Sequence, residues 1–360
     1  MQAAKEKISK VTMADVARFA LVSSSTVSMA LRNSPQIAVE TRQKVWRATE
    51  RLGYSTNQRT SGAQPIQQFH PKPQTRNFGF VLVDADFTHR IYAPIFHATL
   101  LEATREGQHV FCYPMRSANQ EMDNLMHLES SKCDGFLLMG AVLEEHYELL
   151  EKIKKPIVIL GDHHVSRPVN QVTCNDFQAG RDAVRHLASM GHRRIAFASD
   201  CIGLIHRQEW LRGYLEEMKA RNIPVQDGFI QAPVQRIPHL EVIKPLFRLS
   251  SPPTAIITTS HGEGRSILEH CRKIHVRVPE DLSLLTFSVR HPFSEDDPLS
   301  RMEIPTEDIG RIGVKRLREL IADPHETPLT TLIHTSCHDT GSCVPPSAHL
   351  HSSGKRKEHS

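Results

Sequence analysis

From Asn77 onward one arrangement recurs: a short run of Val, Ile, Leu and Phe, then an amphipathic stretch of helical length. This alternation constrains the fold more than any other feature of the chain. The apolar runs cover 78–83, 110–113, 135–139, 157–160, 195–198, 255–259 and 282–287. Helical patterns lie between them at 93–106, 178–190, 208–221, 264–274 and 308–321, the first two ending at Gly107 and Gly191. Continuous apolar runs predict strands buried on both faces, and their alternation with helices predicts parallel βαβ units. Ligands bind such sheets beyond the carboxyl ends of the strands. Residues 77–346 are too many for one doubly wound sheet, so two α/β lobes with a cleft between them are expected.

The first 60 residues differ. They hold ten Lys and Arg against four Asp and Glu, whereas the remaining 300 residues carry a small negative excess. A basic segment ahead of a near-neutral body fits a nucleic-acid module, although a solvated helical surface would look similar. Residues 11–53 predict three short helices. Thr12 and Asp15 form a capping-box pattern ahead of Val16, Ala17 and Ala20. Ser23 is placed to cap a second helix carrying Val27, Ala30 and Leu31, which Asn33-Ser34-Pro35 ends. A third, from about Val39, aligns Val45, Ala48 and Leu52 before Gly53. Residues 55–76 are rich in Gln, Ser, Thr and Pro and predict a linker. The polar tail beyond Ser347 is expected to be disordered.

Several function classes drop out. No apolar run approaches the ~18 residues of a membrane helix, and the first residues lack the apolar core of an export signal, so a cytoplasmic protein with no membrane partner is expected. The seven cysteines are scattered without a C-x-x-C, which predicts reduced thiols. Cys337, His338 and Cys343 match no standard zinc spacing. Neither a G-x-S-x-G, a P-loop, an H-E-x-x-H nor a G-x-G-x-x-G after a strand occurs; Gly262-Glu263-Gly264 lacks the third glycine. No enzyme, cofactor or metal site is expected.

The spacing around Leu21-Val22-Ser23 suggests a helix-turn-helix. The stretch VTMADVARFALVSSSTVSMALRNSPQIAVETRQKVWRATERLGYSTN resembles the headpiece of the lactose-repressor/galactose-repressor (LacI/GalR) family of bacterial transcription regulators. The shared elements are Val11-Thr12, Asp15-Val16-Ala17, Val22-Ser23, Thr26-Val27-Ser28, Glu40-Thr41-Arg42 and Leu52-Gly53-Tyr54 with Asn57. The resemblance continues through VTCNDFQAGRDAVRHLASMGHRRIAFAS, and more weakly through CDGFLLMG, PPTAIITT and VPEDLSLLTF. It implies an all-α headpiece (1–57), a hinge (58–76) and a two-lobed periplasmic-binding-protein-like domain (77–346). The first lobe is placed at 77–174 plus 303–327 and the second at 175–302 plus 328–346. The implied function is repression of transcription by a homodimer on a palindromic operator in double-stranded DNA, tuned by a small effector in the cleft. An effector-independent binder whose body only dimerises is the alternative.

By position in the motif, Ser24, Ser25 and Met29 would face bases, while Thr26, Ser28 and Arg32 would face phosphates; Thr12, Ser23, Tyr54 and Asn57 complete the implied DNA-contacting set. Met29 could equally pack against its own helix, and Ser24 and Ser25 could cap it. Leu21 stands where the family usually has glycine, and Ala38 where it usually has a capping Ser. After Asn57 comes Gln-Arg-Thr-Ser-Gly-Ala-Gln-Pro, with no Leu to wedge into the minor groove, so little hinge-mediated kinking is expected.

Strand ends supply the candidate ligand set: Asp84, Asp86, Tyr92, Asp162, Asn175, Asp176, Arg207, Ser260, His261 and Ser288. Asn175 and Asp176 fit a helix cap equally well, and Arg207 fits a surface position. Ser260-His261 replaces the family's usual Asn-Asp, and Thr286-Phe287-Ser288-Val289 its Gly-Tyr-Asp-Asp. A sugar-like effector is therefore one option and not an implication.

Overall fold

A computed structural model describes residues 11–31, 34, 37–52, 75–88, 90–115, 133–289, 297–324 and 326–347. Arg32, Gly53, Tyr54, Asn57, most of the hinge and nearly all of the tail lie outside the described residues. The chain divides into two compact units, Met1–Pro71 and Lys72–Ser360.

In the first unit, α1 (Met13–Ala20), α2 (Ser24–Leu31) and α3 (Val39–Leu52) bury Val16, Ala17, Ala20, Val27, Ala30, Val45 and Ala48 in one small core. The predicted capping box forms: Thr12 N and Oγ1 donate to Asp15 Oδ2 at 2.9 and 2.6 Å. Helix α1 ends at Leu21, whose φ of 56° and ψ of 43° are left-handed. The amide of Val22 donates to Ala17 O at 3.0 Å, closing a Schellman-type end. A glycine adopts this conformation without steric cost; a leucine does not.

The second unit holds two six-stranded sheets. The first lobe contains β1 (Asn77–Val83), β2 (His109–Met115), β3 (Gly135–Gly140), β5 (Ile157–Leu160), β7 (Gln171–Cys174) and β13 (Thr330–Ile333), in the order β13-β7-β5-β3-β1-β2. All of its pairings are parallel. The second lobe contains β8 (Ile195–Ala198), β9 (Ile230–Gln231), β10 (Ala255–Thr258), β11 (Ser283–Ser288), β12 (Ser300–Glu303) and β14 (Ser336–His338), in the order β14-β12-β11-β10-β8-β9. Only β14 is antiparallel to its neighbour. A small parallel pair, β4 (Val142–Leu143) with β6 (His163–His164), lies beside the first sheet in sequence.

Helices cover the sheets. They are α4 (Tyr92–Arg105), α5 (Glu144–Glu151) and α10 (Thr306–Ala322) in the first lobe, and α6 (Asp176–Ser189), α7 (Ile205–Ala220), α8 (His239–Phe247) and α9 (His261–Lys273) in the second. Helices α6 and α7 approach so closely that a methyl group on Gly180 would stand 2.2 Å from Trp210 O, and one on Gly213 2.1 Å from Phe177 O. Only glycine permits that backbone contact.

The chain crosses between lobes three times, after β7, after β12 and after β13. Ile304, in the second crossing, packs against the cores of both lobes. The sequence assigns residues 328–346 wholly to the second lobe, but β13 pairs with β7 at the edge of the first sheet. The run Thr330-Thr331-Leu332-Ile333 is β-prone and half exposed, as suits an edge strand, and β7 offers it a free side.

Candidate nucleic-acid interface and ligand cleft

Helix α2 turns Val27 and Ala30 into the headpiece core and leaves Ser24 and Ser25 exposed, with Thr26, Ser28 and Met29 half-buried. Ser23 precedes it in the N-cap position. Its Oγ accepts from Thr26 N at 3.0 Å and lies 2.7 Å from Ser25 Oγ and 2.8 Å from Thr26 Oγ1. The first turn carries no acidic residue. A helix amino terminus with a hydroxyl cluster and no negative charge suits phosphate, with short side chains free to approach base edges. Thr12 is occupied differently: its hydroxyl and amide are both spent on Asp15, whose carboxyl these bonds hold below its ordinary pKa.

In the second unit the strand ends bring part of the predicted set together. Asp162 follows β5 and meets the start of α7 across the lobes, with Oδ2 2.7 Å from His206 Nδ1 and 3.2 Å from the His206 amide. Asp176 opens α6 immediately after the first crossing and is buried. Burial, followed by the charge of Asp162, raises its pKa to about 7, against the opposing influence of His206, Cys174 and Trp210. Burial also raises the Tyr92 phenol, with Asp162 and Asp86 adding to it. Asp86, Tyr92, Asp162 and Asp176 thus share one electrostatic neighbourhood. His206 stands edge-on to Trp210 at 4.9 Å, and Trp210 stacks on Phe287 at 4.0 Å and 2°.

Other predicted residues have local duties. Asn175 caps α6 by accepting from Gln178 N at 3.2 Å, and Ser260 caps α9 by accepting from Glu263 N at 3.2 Å. His261 faces Asp297 at 3.1 Å. Ser288 is buried and donates to Val289 O at 3.3 Å. Asp84, in a left-handed conformation at φ 44°, stands 3.9 Å from His146. Asp86 accepts from Thr88 N at 2.8 Å.

Arg207 departs most from expectation. Its guanidinium is buried inside the second lobe, paired with Asp200, donating to Ser199 Oγ at 3.2 Å and Cys201 O at 3.0 Å, and 3.8 Å from Glu263. Burial works against ionisation of Asp200, but Arg207, Glu263 and Arg236 together hold its pKa below the ordinary carboxylate value. Glu263 is pushed upward, chiefly by burial. Asp200, His239 and Glu263 bring donor atoms within 4.8 Å of one another, as metal ligands must. However, Asp200 already faces Arg207 and, at 3.0 Å, Arg236, and Glu263 accepts from Asp200 N and Thr259 N at 2.6 and 2.7 Å. Guanidinium groups fill the positions a cation would take.

Sequence reasoning missed His206, Cys174 and Trp210 as the neighbours of Asp162 and Asp176. The signal for His206 was its place at the head of a helix, one residue before Arg207. Trp210 and Phe287 stack within the core of the second lobe.

Comparison with known proteins gives a consistent picture. Residues 12–57 match the family described as bacterial regulatory proteins, lacI family, and residues 184–343 match the periplasmic binding protein-like domain. Catabolite control protein A of Priestia megaterium is 28% identical over 317 residues, covering 85% of this chain and 91% of the relative. The HTH-type transcriptional repressor CytR of Escherichia coli K12 is 26% identical over 328 residues, covering 89% and 93%. Among solved structures, the transcriptional regulator CelR in complex with cellobiose has a TM-score of 0.62 at 23% identity, covering 92% of this chain and 100% of the other. The lac repressor dimer bound to operator and the anti-inducer ONPF has a TM-score of 0.63 at 18% identity, covering 93% and 100%. At those identities the structures speak to the fold. No helix among the described residues is long and apolar enough to cross a membrane.

Proposed function

We propose that this chain, which belongs to the lacI family of bacterial regulatory proteins, is a cytoplasmic transcriptional repressor that binds a palindromic operator as a homodimer and answers to a small molecule in its inter-lobe cleft. The observation that carries the reading is the recognition helix: α2, capped by Ser23, presents Ser24 and Ser25 outward from a packed three-helix headpiece. Short hydroxyl side chains discriminate bases weakly. Met29 has no donor fork for guanine, so sequence preference at its position leans on thymine methyls and DNA shape.

One headpiece reads a half-site, and twofold symmetry supplies the second. On the first lobe, Leu100 and Leu101 of α4 and Phe111 of the edge strand β2 are exposed, and Phe111 retains 48% of its accessible surface. Exposed apolar groups on one lobe support a dimer contact there. Effector control follows from the three crossings. A ligand that binds one degree of lobe closure more tightly shifts the population toward it, and the dimer transmits the change to the headpieces. The chain acts by binding and performs no chemical step.

The Asp162–His206 contact supports a second reading, since it bridges the lobes with the protein's own side chains. In that reading the body only dimerises. Selection of duplexes from a random pool with the intact protein, followed by fluorescence anisotropy, tests the main proposal. Inverted repeats bound with a steep salt dependence are expected. Indifference to every duplex at low salt refutes it. Operator affinity unmoved by any small molecule would leave the second reading.

A further inference from the structure

Whatever the cleft takes, we infer that the second lobe carries a separate site for a phosphate-class oxyanion, held by the guanidinium groups of Arg181, Arg185 and Arg221. Helices α6 and α7 touch through Gly180 and Gly213, and this close packing brings Arg181 and Arg185 of α6 against Glu217 of α7. Glu217 is buried, and its carboxylate is the hub of the cluster. Its Oε2 accepts from Arg181 Nε at 2.9 Å, and its Oε1 accepts from Arg185 Nε and Arg221 Nε, each at 2.9 Å. Burial works against ionisation of Glu217, but Arg185, Arg221 and Arg181 hold its pKa below the ordinary value, so the hub stays charged. Glu217 stands on the last turn of α7, about 18 Å along the axis from the head of that helix. The His206 contact with the first lobe lies at the head, so the arginines gather well away from the cleft.

Arginine commonly meets a carboxylate through two parallel bonds, one to each oxygen. Here three guanidiniums share one carboxylate, and each gives it Nε alone. Arg185 Nη1 also donates to Asp182 Oδ1 at 2.9 Å. Arg193 Nη1 donates to Arg221 O at 3.4 Å, which sets a fourth guanidinium beside the cluster. Both terminal nitrogens of Arg181 and Arg221, with Nη2 of Arg185 and of Arg193, have no acceptor among the described residues. The side chains of Arg181, Arg185 and Arg221 are 28%, 38% and 38% exposed, so a solute can reach them. Four guanidinium charges stand against the carboxylates of Glu217 and Asp182, an excess of two. Like charges packed this closely repel, and one carboxylate cannot neutralise three guanidiniums. A tetrahedral dianion answers both the charge and the geometry, because its oxygens can accept from several guanidiniums in different directions. Phosphate and its monoesters have that form. A monocarboxylate or chloride has neither the charge nor the number of acceptors.

The test uses the intact protein with inorganic phosphate, glycerol 3-phosphate and acetate as probes, against chloride at matched ionic strength. Calorimetry reads binding, and phenylglyoxal modification followed by peptide mass spectrometry reads the protection of each arginine. Saturating phosphate should slow modification of Arg181 and Arg221 by about tenfold or more, leaving the exposed Arg272 of α9 as reactive as before. The double variant Arg181→Gln with Arg221→Gln should lose about tenfold or more in phosphate affinity, and Arg272→Gln should lose none. Glycerol 3-phosphate binding as tightly as phosphate assigns the site to a monoester, and its failure beside phosphate assigns it to the free ion; both support the inferred class. No binding beyond chloride, acetate protecting as well as phosphate, equal protection at Arg272, or an unchanged affinity in the double variant each overturns the inference. Should the double variant fail to fold, protection in the unaltered protein decides.

Discussion

Replacing Asp176 by asparagine should remove a specific pH dependence from the stability of the protein. Asp176 is buried at the head of α6, facing Asp162, His206, Cys174 and Trp210, and its pKa rises from 3.8 to about 7. In the unfolded chain the same carboxyl loses its proton near 3.8. The folded state therefore binds more protons between these values. The stabilisation from the protonated form is whole below the unfolded pKa, declines as pH rises, and is gone above about 7. The slope in that window is about 1.4 kcal/mol per pH unit. Between pH 5 and 7 the wild type should lose roughly 2.5 kcal/mol that Asp176→Asn keeps. Urea denaturation followed by circular dichroism at pH 5, 6 and 7 measures this. His192 contributes with opposite sign. Burial lowers its pKa, so its stabilisation is complete above its ordinary 6.5 and is lost as pH falls through the window below. Both proteins share that contribution, and it cancels in their difference. Parallel stability curves for wild type and variant would refute the assigned environment of Asp176.

Three further substitutions test other parts of the structure. Leu21→Gly should stabilise the headpiece by about 1 kcal/mol, because the left-handed site at φ 56° strains leucine, and slower amide exchange in α1 of the intact protein would show it. Gly180→Ala should cost about 2–3 kcal/mol in denaturant titration, since its methyl group would meet the Trp210 carbonyl; a neutral outcome would mean that α6 and α7 do not touch there. Arg207→Met should destabilise the second lobe by about 3–5 kcal/mol by leaving Glu263 buried without a cation and Asp200 with Arg236 alone, as thermal unfolding would report.

What could be read from sequence depended on how local the cause was. Thr12, Asp15 and Ser23 announce their caps because the partners lie three residues away, and the structure forms both. The apolar runs of β1, β3, β5, β8, β10 and β11 announce a sheet interior because burial on both faces leaves few polar positions to confuse the pattern. The lobe of β13 is hidden in the sequence because an edge strand exposes alternate residues and its partner lies some 160 positions away, where only the closed sheet makes the pairing favourable. The buried pairing of Arg207 is hidden for the same reason. An arginine at a helix start after a strand fits a ligand site, but Asp200 and Glu263 reach it only through the fold. Asn175 admitted two roles in sequence, and local geometry gives it the capping one.

The threading of the chain bears on biosynthesis. Because β13 completes the first lobe and β14 the second, both lobes stay unfinished until residues 330–338 have left the ribosome. Neither can be made as one uninterrupted fragment. A nonsense codon anywhere before residue 330 would strip an edge from both at once. The nascent headpiece, by contrast, has every helix it needs after the first 52 residues, so a truncated product could retain a reading head with no body to pair or regulate it.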